Sequence, residues 1–429
     1  MTQPWTVRRL KSALAADTLQ PTALAREALA CANQNAGHNT YLWRDEAWTL
    51  AEAARVEKAA ATCANALLWG LPVSVKDCFD LAGAPTSCGV QFYRKHNGIA
   101  AQDSGLVARL RAIGAVITGK THLHPLAYGI TGENPEFGDC VQPGHLDRLT
   151  GGSSSGAAAS ILEGSAVAAI GTDTGGSVRA PAALCGLAGY RSSLGRGDWH
   201  GAGHLAQSFD TMGWLFRDLE DAPILGRVFA PDSAPDARSF EQFATINPSF
   251  LNDCEPEIAS AMDDIAKDLE ALGLHRSSFD PGFWADSFEI YAPIQATEAA
   301  RIHDGHFAQF EPAIRERLEW GARITDAELT LLRERHAEFR ARADALFTSH
   351  QLLVMPASPV AVLAAGAEHS ETRARLLRYT IPFSLAGVPV VTVPCTVSGM
   401  QLAAARDNDE SLLKLAQALG RRRELILSS

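Results

Sequence analysis

Two segments rich in glycine and serine lie close together in the chain and carry hydroxyl groups that could act as nucleophiles. The first is Gly151–Gly156 (GGSSSG) and the second is Gly171–Arg179 (GTDTGGSVR). A serine becomes an effective nucleophile only when a base takes its proton, and the oxyanion that then develops needs fixed N–H donors. The second segment offers Ser177 directly behind two glycines, whose backbone can approach a substrate closely. Together the two segments indicate a hydrolase.

Ser177 needs a base, and a lysine is the best candidate. No histidine has the setting of a G-x-S-x-G elbow with a downstream partner, so a Ser-His-Asp triad is not indicated. Burial can lower the pKa of a lysine by about 3–5 units, which makes it a base near neutral pH. Lys76 ends the apolar stretch Leu71–Val75, so its stem would pack in the core while its amine faces a cleft. The alternative is an ordinary strand-end lysine paired with Asp77, because most lysines are exposed.

Two further motifs are better read as ordinary structure. Gly114–Thr121 (GAVITGKT) matches the P-loop pattern, but β-branched residues fill the supposed loop and an amphipathic helix precedes it. We therefore predict a strand at Ala115–Thr118 and no nucleotide site. His122 and His124 form an H-x-H pair without a third ligand nearby, which favours surface or loop histidines over a metal site. The sequence predicts no metal and no cofactor.

The patterns around these residues alternate between strand and helix and predict an α/β fold. Residues 5–65 have apolar side chains at helical spacing, which indicates two or three helices. Further helices are predicted at Ser104–Ile113, Ala157–Gly164, Asp326–Phe347 and Glu410–Leu419, and buried strands at Leu71–Lys76, Val167–Ile170, Leu352–Pro356 and Val388–Val393. We expect a single large α/β/α domain with a central mixed, largely parallel, twisted sheet covered by helices.

Charge and composition limit the class of protein. The 429 residues carry a formal net charge of −11, which argues against nonspecific binding to nucleic acid or to an anionic membrane. No apolar run reaches the roughly 18 residues that a membrane span needs, and the N-terminus has no secretory signal. The eight cysteines are scattered and form no C-x-x-C pair. We expect a cytoplasmic, reduced protein.

The chain resembles the amidase signature family of serine amidases. The resemblance covers about Leu71–Asp218, with weaker similarity at Phe383–Pro394. Three elements carry it: GGSSSG at Gly151–Gly156, GTDTGGSVRAP at Gly171–Pro181, and SFDTMG at Ser208–Gly213. This combination is long and specific.

The resemblance implies a Ser-cisSer-Lys triad and acyl transfer. Ser177 would be the nucleophile, Ser153 the bridging serine after a cis peptide bond, and Lys76 the base that acts through Ser153. Backbone N–H groups of Thr174, Gly175, Gly176 and Ser177 would hold the oxyanion.

The resemblance also assigns residues that would support the triad or contact the substrate. Leu126, Ala127 and Tyr128 align with a stretch that lines the substrate cleft, although they could simply be core. Ser154 is expected to bind substrate or, with Ser155, to support the lysine. Asp173 and Arg179 are expected to brace the loop as a buried ion pair rather than act in catalysis.

We divide the expected domain into four consecutive parts. The first part consists of N-terminal helices, the second is the catalytic core, the third is a helical insertion that shapes the substrate cleft, and the fourth completes the core with strands and a helix: 1–65, 66–230, 231–350 and 351–429. A connection is predicted at Pro231–Asp236, and a helical, charged stretch from about 255 to 350. Specificity is expected from the loop 126–137 and from Tyr291, Gln295, Glu298 and His303.

The expected function is hydrolysis of a carboxylic amide, with a small-molecule amide as substrate and no nucleic acid or membrane as partner. One alternative is the glutaminase-type amidase subunit of a tRNA-dependent amidotransferase. The acidic charge weakens it, and so does the short segment between Pro394 and Gly399, where the family carries a longer loop. The other alternative is a non-catalytic protein on the same fold, which would be expected to lack at least one triad residue. The family resemblance also allows a homodimer, which nothing in the sequence tests.

Overall fold

The computed structural model describes residues 5–60, 66–230 and 238–428, so the predicted connection at 231–236 lies outside the described residues. The strands are β1 Tyr41–Trp43, β2 Pro72–Lys76, β3 Val116–Thr121, β4 Val141–Gln142, β5 His145–Leu149, β6 Ala168–Asp173, β7 Ala188–Arg191, β8 Thr211–Phe216, β9 Gln242–Ile246, β10 His275–Phe279, β11 Leu352–Pro356, β12 Val390–Pro394 and β13 Gly399–Ala404.

The α-helices of the described residues precede, separate and follow these strands. They are α1 Val7–Ala15, α2 Pro21–Gln34, α3 Glu46–Lys58, α4 Gln91–His96, α5 Gly105–Ala112, α6 Ser155–Glu163, α7 Arg179–Leu184, α8 Ala222–Gly226, α9 Pro256–Ala271, α10 Ser287–Ile302, α11 Pro312–Arg323, α12 Asp326–His350, α13 Ser370–Ala386 and α14 Asp409–Ser428. No helix in the described ranges is both long enough and apolar enough to span a membrane.

Eleven strands form one sheet in the order β1-β3-β2-β6-β8-β7-β12-β13-β11-β9-β10. Parallel pairing joins β3, β2 and β6 on one side and β11, β9 and β10 on the other. The remaining neighbours pair antiparallel. Strands β2, β3, β6, β8 and β11 are buried along their whole length, as expected for a sheet covered on both faces. The predicted mixed sheet under helices is confirmed, with its parallel pairs towards the two ends.

The N-terminal helices and the strand at the P-loop-like motif are confirmed, but eight of the thirteen strands in the described residues were not predicted. The N-terminal region holds three helices, with β1 between the second and third. The strand β3 begins at Val116, where the P-loop match would require a loop. Strands β9 and β10 were not predicted, and β10 interrupts the stretch predicted to be helical. Four of the five side chains of β10 are exposed at the sheet edge, so it lacks the apolar run by which buried strands are recognised.

One continuous hydrophobic cluster includes residues from Val7 to Leu419. All four predicted parts of the chain contribute to it, which supports our proposal of a single domain. Full burial of a large apolar side chain stabilises a fold by roughly 1.5–3 kcal/mol. The strands that carry the predicted site residues pass through this cluster, so the fold holds their ends in fixed positions.

The carboxyl ends of two neighbouring parallel strands bring the predicted site together. Strand β2 ends at Lys76, and its neighbour β6 ends at Asp173. Parallel strands end at the same edge of a sheet, and sites of α/β proteins commonly lie at that edge. The turn that contains Ser153 leads directly into helix α6, which begins at Ser155. The topology therefore places both glycine-serine segments next to the lysine.

Candidate active site

The Lys76 side chain is fully buried and its amine contacts three hydroxyl groups. Its Nζ lies 2.8 Å from Ser153 Oγ, 2.7 Å from Thr172 Oγ1 and 3.2 Å from Ser154 Oγ. Burial lowers the pKa of Lys76 to about 8, and nearby acidic groups offset this only in part. The alternative pairing with Asp77 is wrong, because the Asp77 carboxylate lies 2.6 Å from the amine of Lys120. Lys76 is therefore held among neutral partners.

Ser153 and Ser177 belong to loops that are fastened to each other. The peptide bond between Gly152 and Ser153 is cis, as the family resemblance implies. Ser153 is fully buried, and the N–H of the next residue, Ser154, donates to the carbonyl oxygen of Ser177 at 3.2 Å. Ser177 is almost completely buried but lines a cavity. The base, the bridging hydroxyl and the predicted nucleophile thus lie in one cluster of loops.

A buried carboxylate holds the loop that carries Ser177. The Asp173 carboxylate lies 2.9 Å from the guanidinium of Arg179 and 2.8 Å from that of Arg191, and all three side chains are fully buried. Burial alone would raise the pKa of Asp173, but the two guanidinium groups keep it below its ordinary value. The predicted pair of Asp173 and Arg179 is present. Arg191, a strand residue with no motif around it, was not predicted.

The same carboxylate changes the predicted set of oxyanion donors. The Gly176 N–H donates to Asp173 at 2.8 Å, so this amide is not free for a substrate and the prediction for Gly176 is wrong in that respect. The N–H groups of Thr174, Gly175 and Ser177 have no acceptor among the residues that the structure describes. Gly176 has a φ of +124°, and an added Cβ would lie 2.7 Å from the Thr380 hydroxyl. Its role is therefore to let the loop turn.

We expect Asp173→Asn to destabilise the protein by about 3–5 kcal/mol, because it leaves two buried guanidinium groups without their counter-charge. Urea unfolding at neutral pH measures this change. The matched control is Asp264→Asn, which removes an exposed carboxylate 3.2 Å from Lys267 and should cost less than about 1 kcal/mol. Equal effects of the two substitutions would show that the buried cluster does not stabilise the loop.

The cavity at Ser177 is lined by parts of the chain that are distant in sequence. Its walls include Thr174 and Gly175 from the serine loop and Ala127 and Tyr128 from the predicted cleft stretch. It also includes residues of helices α10 and α13, namely Tyr291, Gln295, Arg373 and Leu377. The volume of this cavity is about 20 Å3. This is well below the range of about 300–1,000 Å3 for small-molecule pockets, so the site is narrow in this structure.

Several predicted substrate contacts lie elsewhere. Ser154 is fully buried beneath the loops, where its Oγ accepts from Lys76 and donates to the Thr172 carbonyl at 3.2 Å. Leu126 lines a second cavity of about 200 Å3, which His303 also lines. Glu298 accepts hydrogen bonds from Ser208 and is not among the lining residues of either cavity. The structure thus places Ser154 with the lysine, as the supporting role predicted.

Residues that the sequence did not single out complete the site. Thr172 contacts Lys76. Its position directly before Asp173, at the end of a buried strand, was the only feature of the sequence that could have marked it as a site residue. Arg373 and Leu377 lie four residues apart on α13, so they share one helix face. Nothing around them distinguishes this face from the charged surface of an ordinary helix.

His122 lies in the loop that follows β3, one of the two predicted settings, but it is buried rather than at the surface. Its two ring nitrogens lie 2.7 Å from Ser155 Oγ and 2.9 Å from the Gly138 carbonyl. Burial lowers the pKa of His122 to about 4, so the ring is neutral near pH 7. Ser155 is thereby engaged in holding the start of α6. Within the described parts of the chain, no three His, Cys, Asp or Glu residues are placed to hold a metal ion.

The fold is of the α/β class, and the site brings together a buried lysine of lowered pKa, the serine after the cis peptide bond and the serine that lines the cavity. The family model described as Amidase matches residues 23–413. The chain therefore belongs to the amidase signature family, and the resemblance noted from its motifs is confirmed. Members of this family are enzymes that hydrolyse carbon–nitrogen bonds of amides.

Two relatives show the range of proteins that this chain is similar to. A glutamyl-tRNA(Gln) amidotransferase subunit of Roseiflexus sp. (strain RS-1) is 29% identical over 427 residues, which cover 86% of this chain and 87% of the relative. A 2-amino-5-chloromuconic acid deaminase of Comamonas testosteroni is 31% identical over 394 residues, which cover 85% of this chain and 84% of the relative.

Solved structures agree with the family. A crystal structure of an amidase has a TM-score of 0.88 and 29% identity, and the match covers 97% of this chain and 100% of that one. An s-triazine catabolic enzyme, solved in an inhibitor-bound complex, has a TM-score of 0.89 and 26% identity, with 98% and 99% covered. The fold is therefore shared over nearly the whole length of the chain.

Proposed function

We propose that this protein hydrolyses a carboxylic amide to an acid and ammonia or an amine through an acyl-Ser177 intermediate. The observation that carries the proposal is the buried Lys76 amine, which has a lowered pKa and is hydrogen-bonded to Ser153. A lysine without a carboxylate partner can lose its proton near neutral pH and then accept one from a hydroxyl. Ser177 lies in the same cluster of loops as Ser153 and lines the cavity.

In the first half of the reaction, neutral Lys76 takes the proton of Ser153, which takes the proton of Ser177. The Ser177 Oγ attacks the amide carbonyl, and the carbonyl oxygen becomes an oxyanion. The N–H groups of Thr174, Gly175 and Ser177 are the proposed donors to this oxyanion; removal of one such donor typically costs about 10²–10³ in rate. The C–N bond then breaks, and the relay returns the proton to the leaving nitrogen.

In the second half, water attacks the acyl ester. The relay takes the proton of the water, the new oxyanion collapses, and the Ser177 oxygen leaves and is protonated again. The acid dissociates from the cavity. Both halves use the same base, because Lys76 holds the proton only between attack and departure.

The alternative role in an amidotransferase complex has one specific observation in its favour. The first relatives found are glutamyl-tRNA(Gln) amidotransferase subunits, and this chain covers 87% of the length of the first of them. Such a protein would release ammonia from glutamine efficiently only when its partner subunits are present. Co-purification of partners, or glutaminase activity that appears only when they are added, would favour this alternative.

A fluorophosphonate probe tests the catalytic proposal without knowledge of the substrate. The probe should label the purified protein at Ser177, located by mass spectrometry, and labelling should fail after heat denaturation. Ammonia release from a panel of aliphatic, aryl and dicarboxylic amides then measures turnover. Absence of labelling at Ser177 in folded protein, together with no turnover in the panel, would favour the non-catalytic alternative.

A further inference from the structure

The cavity at Ser177 contains one charged side chain, Arg373, among the described residues that line it. Arg373 lies in the first turns of α13, one helical turn before Leu377, which lines the same cavity. The Arg373 side chain makes no ion pair or hydrogen bond with any residue that the structure describes. Arg373 is half-buried, and its guanidinium group is free to bind an anion that enters the cavity.

Two fully buried arginines and one half-buried arginine of this chain are each paired with a carboxylate. Arg179 and Arg191 both pair with Asp173. On α13 itself, Arg378 lies 2.5 Å from the carboxylate of Asp253. Among these residues Arg373 is the exception, and it faces the cavity into which Ser177 also faces.

The surroundings of Arg373 increase its need for an anion. Burial lowers the pKa of Arg373, and the groups that counter this effect are the phenols of Tyr128 and Tyr291 rather than carboxylates. A second guanidinium, that of Arg317, lies over the Tyr128 ring at 4.5 Å from its centre and donates to the Tyr128 carbonyl. Burial and the neighbouring Arg373 lower the pKa of Arg317 as well. This end of the cavity is therefore positive.

We propose that Arg373 binds a carboxylate of the substrate, so that the protein acts on a small amide with a free carboxylate at its other end. This inference rests on the proposed function and names its substrate class. A guanidinium binds a carboxylate through two parallel N–H···O bonds, which fixes orientation as well as charge. The limited volume of the cavity favours a short spacer between carboxylate and amide, as in the monoamides of dicarboxylic acids.

The same lining disfavours substrates with a positive charge. None of the described residues that line the cavity is acidic, so an ammonium group would have no counter-charge there. The nearby Asp210 carboxylate is already occupied, since it accepts from Thr174 Oγ1 at 2.7 Å and from the His204 ring at 2.9 Å. Glutamine carries an α-ammonium beside its carboxylate. Glutaramate, which differs from glutamine only in lacking that amino group, should therefore be the better substrate.

Matched substrates provide the test. Succinamate and succinamide have the same size, but succinamate carries a carboxylate where succinamide carries a second, neutral amide. The pairs malonamate/malonamide and glutaramate/glutaramide extend the comparison to shorter and longer spacers. We expect kcat/KM for ammonia release to favour the charged member of at least one pair by about 100-fold or more. In Arg373→Gln the preference should nearly disappear, mainly through a higher KM for the monoacid amides.

The control variant is Arg375→Gln, on the same helix, whose guanidinium donates to the Asp253 carbonyl rather than facing the cavity. It should keep the preference for the carboxylate. A second readout is independent of turnover: isothermal calorimetry of succinate, malonate and glutarate binding to Ser177→Ala. At least one should bind, and adding Arg373→Gln should weaken its Kd by about 50-fold or more.

The outcomes separate this inference from the proposed function. Diamides cleaved as fast as monoacids, a preference that survives Arg373→Gln, or no dicarboxylate binding to Ser177→Ala would each overturn the inference. If Ser177 still reacts with the fluorophosphonate probe in those cases, amide hydrolysis stands and only the substrate class is wrong. Absence of probe labelling together with retained, Arg373-dependent dicarboxylate binding would overturn the catalytic proposal and leave the carboxylate site in place.

Discussion

Replacement of Ser177 by alanine is expected to lower kcat/KM for amide hydrolysis by about 10⁴–10⁶-fold. Without the Ser177 hydroxyl no acyl-enzyme can form, and the neighbouring hydroxyls cannot substitute for it. Ser153 and Ser154 are fully buried against Lys76 and do not line the cavity. Steady-state ammonia release from the best amide of the panel measures the loss, and fluorophosphonate labelling should disappear with it.

The matched control is Ser160→Ala, which removes another fully buried serine hydroxyl from the core. The Ser160 Oγ lies 2.8 Å from Ser74 Oγ, in helix α6 and away from the cavity. Its loss should change kcat/KM by no more than about threefold while lowering stability by roughly 1 kcal/mol. Retention of more than one-hundredth of the wild-type activity in Ser177→Ala would show that another group is the nucleophile.

Lys76 and Ser177 could be proposed from short, local patterns, whereas only the family resemblance singled out Ser153 among three neighbouring serines. Ser153 and Ser177 belong to loops whose dense glycines and serines favour close backbone approach to a substrate, and Lys76 follows an apolar strand directly. Burial of a strand end is a local property, so the low pKa of Lys76 could also be expected. The parallel pairing of β2 with β6, which brings these pieces together, follows from the alternation of strands and helices.

The rest of the site depends on contacts between distant segments. Arg373 lines the Ser177 cavity because α13 packs against the serine loop, where the Thr380 hydroxyl donates to the Gly175 carbonyl. The surrounding residues SETRARLLRY have the composition of an ordinary surface helix. Arg191 lies in a buried strand. It contacts Asp173 only because of the register in which β7 pairs with β8 and β8 pairs with β6. The charge of a side chain, known from its own segment alone, does not show which residue it pairs with.

The oxyanion loop illustrates a further limit. The two glycines before Ser177 indicate a backbone that can approach a neighbour closely, yet this pattern does not say which N–H groups remain free. The Asp173 carboxylate takes the Gly176 N–H, and this could not be decided until the positions of both guanidinium groups were known. Sequence patterns thus predict backbone shape better than the final distribution of hydrogen bonds.

We expect kcat/KM to rise with pH, to pass half of its maximum near pH 8 and to reach a plateau about one pH unit higher, because the reaction requires the neutral form of Lys76. Burial lowers the pKa of this amine to about 8. Below that pH the protonated form predominates and cannot accept the Ser153 proton, so kcat/KM should fall about tenfold per pH unit. Measurement over pH 6–9.5 with a substrate that does not titrate in this range, such as a diamide, assigns the change to the free enzyme.

Two substitutions connect this profile with position 76. Lys76→Met keeps the length of the side chain but removes the base, and should lower kcat/KM by at least about 10³-fold at every pH. Lys76→Arg keeps a positive charge that does not dissociate near neutral pH, so it should be equally inactive and show no rise at high pH. The exposed Lys267→Met, whose partner Asp264 is also exposed, should keep the wild-type profile.

The profile distinguishes a catalytic lysine from a structural one. A structural lysine would hold Ser153, Ser154 and Thr172 in place through its hydrogen bonds whether or not it could lose a proton, and Lys76→Arg would then retain part of the activity. A flat profile from pH 6 to 9, or more than one-tenth of the activity in Lys76→Met, would contradict the role of base. Thermal unfolding of each variant shows whether a loss of rate reflects a loss of fold. The Lys76 amine has no carboxylate partner in the described structure, so its removal should leave the core intact.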